Sequence, residues 1–123
     1  MRRAYLSIRD RLDRAGIVLS GLCAFHCVAG IVLVSALGLG GPALLAPEIH
    51  EVGLALAIAI GAITLGLGLL RHGQVAPIVI GTGGILLMTA GLFSPHGSQE
   101  AALTICGVAL VAAAHIRNLR HAA

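Results

Sequence analysis

The chain has no lysine and no tryptophan, and it holds only one tyrosine and two phenylalanines. Charged residues make up 11 % of the sequence, less than half of the usual share in a soluble domain. With so few charges and aromatic rings, the chain lacks the basic, stacking surface with which proteins bind nucleic acids, and we expect no such partner.

The sequence also lacks the motifs of common enzymes. It contains no Ser-His-Asp set, no paired carboxylates within an apolar segment and no glycine-rich phosphate loop. Its 17 glycines have no strand-turn-helix context and fit close helix packing instead. We therefore expect neither an enzymatic activity nor a permanently bound cofactor.

Hydrophobic residues are abundant, at 58 % of the chain and a mean hydropathy of +0.99. They form apolar segments whose lengths are close to the ~20 residues that a helix needs to cross a bilayer. The predicted fold is an all-α membrane protein, a four-transmembrane-helix bundle with spans at about 15–39, 50–70, 76–93 and 101–116. We expect a basic amino-terminal arm, 1–14, followed by one transmembrane domain, 15–123. The first apolar segment is longer than that of a signal peptide, so we expect it to remain in the mature protein.

The positive charges predict the orientation of these helices. All of them lie before the first span, between the second and third, or after the fourth: Arg2, Arg3, Arg9, Arg11, Arg14, Arg71, Arg117 and Arg120. The other two connections carry only the acidic residues Glu48, Glu51 and Glu100. Because positively charged loops stay inside, both termini are predicted to lie in the cytoplasm.

The first span contains the motif with the clearest chemistry, Cys-Ala-Phe-His-Cys at 23–27. On a helix, Cys23 and Cys27 lie one turn apart on one face, and His26 borders that face. Thiolates select soft cations, and imidazole suits borderline ones. These three side chains are the predicted metal ligands.

A purely structural interpretation of the same helix remains open. Small residues recur there at spacings of four and three, as in a seam for close helix contact: Gly16, Ser20, Cys23, Cys27 and Gly30. Cysteine is also a common buried residue without any metal. His26 favours the metal site, because an imidazole inside a membrane is costly without a partner.

Three further side chains are candidate metal ligands. Cys106 on the fourth span lies at a depth similar to that of Cys27, although it also fits small-residue packing. His50, next to Glu51, stands at the outer end of the second span, where it either collects cations or belongs to an interfacial polar cluster. His115, near the inner end of the fourth span, holds the ion at its exit or anchors a neighbouring helix. The remaining histidines are expected to be solvated: His72, His96 and His121.

Two segments resemble a known family. DRAGIVLSGLCAFHC at 13–27 resembles the start of the MerC family of mercury-resistance membrane proteins, and HIRNLR at 115–120 resembles its terminal His-x-x-Asn-x-Arg. The resemblance implies a multi-pass protein of the bacterial inner membrane that takes up mercuric ion, with Cys23 and Cys27 as transferring thiols. It also implies a cytoplasmic thiol carrier or reductase as partner, beside the metal ion and the lipid bilayer.

The chain departs from this family in one respect that leaves the ion open. Mercury-resistance members carry a cysteine pair near the carboxyl end, whereas no cysteine follows Cys106 here. The prediction is transport of mercuric ion or a related soft divalent ion by thiol ligand exchange. The alternatives are a zinc or other metal transporter or sensor, a His-ligated haem or redox subunit, and a non-transporting structural protein. Homo-oligomerisation through glycine faces is a further open question.

Overall fold

A computed structural model describes residues 1–39, 43, 46–95 and 97–121, and in these residues it contains four long α-helices and no β-strand. The helices are α1 (Arg2–Leu37), α2 (Pro47–His72), α3 (Ala76–Leu92) and α4 (Ser98–Arg120). By length and composition α1, α2 and α4 can each cross a membrane, and α3, with 17 residues, is a shorter apolar helix. The predicted all-α, four-helix class is confirmed.

The helices begin and end where local chemistry dictates. α1 starts at Arg2, well before the predicted span, because residues 2–14 contain no glycine or proline and are mostly good helix formers. α1 and α2 each end at a glycine in the left-handed conformation, Gly38 (φ 64°) and Gly73 (φ 68°). α2 starts with Pro47 at a position where its missing N–H costs nothing.

Helix α4 contacts all three other helices, whereas α1 contacts only α2 and α4 within the described residues. The contact between α3 and α4 is closest at Gly84 and Gly107, where a Cβ on Gly84 would lie 2.6 Å from the Gly107 carbonyl oxygen. Small residues thus allow backbone-to-backbone packing, as is usual between membrane helices.

Large apolar side chains point outward from this bundle. Val18, Leu22, Phe25 and Leu86 are all more than half exposed. The interior is built instead from smaller groups, with a core centred on Ala57, Met88, Val108 and Val111. Apolar surface of this kind suits contact with lipid, so the distribution fits a bundle within a bilayer.

The small-residue seam of α1 faces the bundle. Its buried members are Gly16, Ser20, Cys27 and Gly30, and Cys23 is half-buried. The seam therefore has a packing role whatever chemistry the cysteines perform.

The two ends of the bundle differ in charge. The start of α1 meets the end of α4, where an Arg9 guanidinium nitrogen lies 3.5 Å from the Asn118 carbonyl oxygen. This end carries the arginines, and we call it the arginine end. The opposite end, where α2 and α4 begin with Glu48 and Glu100 in their first turns, is the glutamate end. That the arginine end faces the cytoplasm stays a prediction.

Candidate metal centre

Three ligand side chains meet near the glutamate end. His26 and Cys27 of α1 and His50 of α2 each offer one ligand atom, and these atoms all lie within 4.8 Å of one another. Cys27 Sγ is 3.7 Å from His50 Nε2, and the rings of His26 and His50 are 5.4 Å apart in an edge-on arrangement. We call these residues the Cys/His cluster.

The sequence brings the cluster together by letting α1 and α2 approach closely. A Cβ on Gly53 of α2 would lie 3.3 Å from Cys23 Sγ, a tight contact, so the absence of a side chain at Gly53 lets the two helices approach closely. His50 stands one turn before Gly53 on α2, which places its ring beside the next turn of α1. His26 and Cys27 follow each other in that turn and approach His50 together.

Two cavities adjoin the cluster. One, of about 260 Å³, is lined by His26, Cys27, His50 and Glu100 together with apolar side chains. The other, of about 280 Å³, is lined by Cys23 and again by both histidines. An ion bound to the cluster would therefore have space on either side of it.

His26 is not satisfied by the surrounding protein. Its Nε2 atom is buried and has no hydrogen-bond partner among the described residues. An unpaired buried polar group costs about 1–3 kcal/mol, and the cost is greater where no water can reach it. An imidazole nitrogen whose lone pair has no partner in the surrounding protein is a suitable ligand for a cation.

Glu100 was not among the candidates from the sequence, but the structure places its side chain beside the cluster. Its Oε1 atom lies 3.6 Å from His50 Nδ1, and the side chain is buried. The predicted fourth span began at 101, which left Glu100 in a loop. Because α4 begins at Ser98, Glu100 instead occupies the first turn and lines the cavity next to Cys27.

Cys23 lies outside the Cys/His cluster. It is half-buried, packs against the core of the bundle and lines the second cavity. Since α1 runs from the arginine end to the glutamate end, Cys23 is about 6 Å nearer the arginine end than Cys27. The two cysteines therefore border different cavities at different depths.

Cys106 is exposed on α4 and lines neither of the two cavities around the cluster. Its depth was predictable from the sequence, but the rotation of α4 about its own axis was not. That rotation turns Cys106 outward, so the structure does not bring its thiol to His26 and His50.

His115 takes part in a separate polar network at the arginine end. Its Nδ1 atom lies 2.7 Å from Asp13 Oδ1, and because a carboxylate only accepts, Nδ1 carries the proton. The Asn118 amide donates to the other Asp13 oxygen at 2.9 Å and also reaches the Thr64 carbonyl oxygen at 3.2 Å. All four side chains are completely buried.

The same network includes the end of α2. His72 Nε2 donates to the Asn118 side-chain oxygen at 2.8 Å, while its Nδ1 accepts from the Gln74 backbone N–H at 3.1 Å. The expectation of a solvated His72 is therefore wrong, because the turn after α2 directs the ring back to α4. His121 is exposed beside it, and His96 lies outside the described residues.

The fold and these two polar centres define a small multi-pass membrane protein with a partly buried thiol–imidazole cluster. A family model described as MerC mercury resistance protein matches residues 13–120, and the chain belongs to this family. This match confirms the predicted resemblance. It also confirms the predicted location in the inner membrane and the predicted class, membrane transport proteins. No curated protein and no solved structure matches the chain.

Proposed function

We propose that the chain takes up mercuric ion, or a related soft divalent cation, by thiol ligand exchange at Cys27 and then Cys23. The observation that most supports this proposal is the Cys/His cluster, whose ligand atoms lie within 4.8 Å of one another. A soft ion arriving at the glutamate end displaces the Cys27 proton and bonds to the thiolate. His26 and His50 supply neutral nitrogen ligands.

The next step uses the depth difference between the two cysteines. Cys23 releases its proton as its thiolate bonds to the ion, so that both thiolates together cancel the charge of a divalent cation. This matters because an uncompensated charge in a membrane costs at least ~2.5 kcal/mol. When a thiolate of a cytoplasmic carrier then replaces Cys27, which takes up a proton, the ion keeps two thiolate ligands and has moved about one helical turn towards the arginine end.

A cytoplasmic thiol carrier or reductase would take the ion from there. The exchange needs no nucleotide, since each thiolate that leaves the ion is replaced by another. The cavities on both sides of the cluster give each incoming ligand room.

The test is uptake of labelled Hg(II) by cells that express the chain or a cysteine variant at equal membrane abundance. Cys27→Ser and Cys23→Ser should each abolish uptake, because a hydroxyl does not replace a thiolate on a soft ion. Cys106→Ser is the matched control, since this exposed thiol lies outside the site, and it should take up Hg(II) normally. Undiminished uptake by the Cys23→Ser/Cys27→Ser double variant would overturn the proposal in favour of a structural role.

A further inference from the structure

The imidazole of His50 lies between a carboxylate and a thiol. Its Nδ1 atom is 3.6 Å from Glu100 Oε1, and its Nε2 atom is 3.7 Å from Cys27 Sγ. These contacts use opposite sides of one ring, and they join α4, α2 and α1 in a line. The carboxylate therefore stands at ion-pair distance from one nitrogen of the ring, while the other nitrogen faces the Cys27 thiol.

We propose that Glu100 is a positioning residue that makes His50 Nε2 a metal ligand, and that the cluster thereby binds a borderline divalent cation such as Zn(II) as well as a soft one. The inference rests on the proposed function, because it concerns the same site. At 3.6 Å the Glu100 oxygen is within ion-pair range of Nδ1 but beyond hydrogen-bond distance, and its negative charge favours the proton on Nδ1, which leaves the lone pair on Nε2 and increases its basicity.

The donor set supports this cation class. Zn(II) prefers nitrogen and sulfur ligands in a four-coordinate shell, and three protein ligands leave one position open for exchange. His26, Cys27 and His50 supply two nitrogens and one sulfur, so the cluster is richer in nitrogen than a site for a soft ion alone requires.

Charge balance also supports a site for a borderline divalent cation. One thiolate leaves a bound divalent cation with a charge of plus one, and the buried carboxylate of Glu100 in the same cavity cancels it. Hg(II) obtains the same neutrality from the second thiolate, that of Cys23. We therefore expect Glu100 to matter for Zn(II) and to matter little for Hg(II).

The experiment measures Zn(II) and Hg(II) affinity of the full chain in lipid nanodiscs by competition with chromophoric chelators. Glu100→Leu removes the carboxylate at similar volume, and it should weaken Zn(II) binding about 10–100-fold, the usual loss when such a partner is removed. Glu100→Gln keeps a polar oxygen that can face Nδ1, so its loss should be smaller. Both variants should bind Hg(II) normally.

Glu51→Gln is the matched control, because Glu51 is an exposed glutamate at the same end of the bundle. It should leave both affinities unchanged. Co(II), used as a spectroscopic substitute for Zn(II), adds a readout of geometry: Glu100→Leu should shift its visible absorption bands, and Glu51→Gln should not.

Two results are decisive against the inference. Unchanged Zn(II) affinity in both Glu100 variants would show that Glu100 positions nothing, and absence of measurable Zn(II) binding by the unaltered chain would remove the borderline cation from its range. Neither outcome touches the proposed function, which fails only if Hg(II) uptake is independent of Cys23 and Cys27.

Discussion

Replacing Asp13 by alanine should destabilise the bundle by about 3–5 kcal/mol, the usual cost of removing one partner of a buried ion pair. Asp13 is 0 % exposed and accepts hydrogen bonds from His115 at 2.7 Å and from Asn118 at 2.9 Å. The Arg9 guanidinium, 2 % exposed, lies 3.9 Å from the same carboxylate. Alanine satisfies none of these groups.

Two effects contribute to this magnitude, and the charge is the larger. Interhelical hydrogen bonds in membrane proteins average only ~0.6 kcal/mol in double-mutant cycles, so the contacts of Asp13 with His115 and Asn118 explain about 1 kcal/mol. Arg9 would be left buried, and its nearest remaining carboxylate among the described residues would be that of the half-exposed Asp10, 3.7 Å away, beside the uncharged Asn118 carbonyl. The uncompensated guanidinium therefore accounts for most of the loss.

The assay is reversible unfolding of the purified chain in mixed micelles by increasing amounts of sodium dodecyl sulfate. Asp10→Ala is the matched control, because it removes the same side chain beside the same arginine. Its carboxylate is 44 % exposed, so its pair with Arg9 should contribute less than ~1 kcal/mol. Equal losses of unfolding free energy in the two variants would refute the reasoning, since burial would then make no difference to how much a carboxylate beside Arg9 stabilises the bundle.

Two further predictions concern close helix contacts and use the same unfolding assay. Gly16→Ala should cost about 1–3 kcal/mol, because the new methyl group would overlap the His115 ring, whereas Gly21→Ala faces open space and should be neutral or stabilising. Gly84→Ala should cost a similar amount, since its Cβ would lie 2.6 Å from a carbonyl oxygen of α4, and Gly83→Ala should not. Loss of stability in a control variant equal to that of its partner would show that helix propensity, not contact, governs these positions.

The sequence predicted the helices well because hydrophobic length alone determines which segments can cross a bilayer. It could not predict that α1 begins at Arg2, because charged residues 2–14 are typical of a solvated arm. In the structure two of them, Arg9 and Asp13, are buried against the end of α4. Their burial depends on partners more than 100 residues away in the chain.

The site was predictable in kind but not in composition. The motif at 23–27 predicted a thiol–imidazole centre on α1, and His50 was a candidate for cation collection at the outer surface. The structure draws His50 into the cluster, separates Cys23 from it and adds Glu100. Such choices depend on how far each helix is rotated about its axis, which the spacing of residues within a single helix does not determine.

The two polar centres require different things of the fold. The network of Asp13, His115 and Asn118 joins α1 to α4 through paired carboxylate and amide groups, whereas the Cys/His cluster stands between two cavities. Each centre also holds one buried imidazole nitrogen without a hydrogen-bond partner among the described residues, Nε2 of His115 and Nε2 of His26. On the proposed uptake path, an ion that leaves Cys23 towards the arginine end would meet this network, because the His115 ring lies against Gly16, seven residues before Cys23 on the same face of α1. If Asp13→Ala loses stability but keeps its Hg(II) uptake per folded molecule, the network is a scaffold. If uptake per folded molecule falls as well, the arginine end is also part of the path.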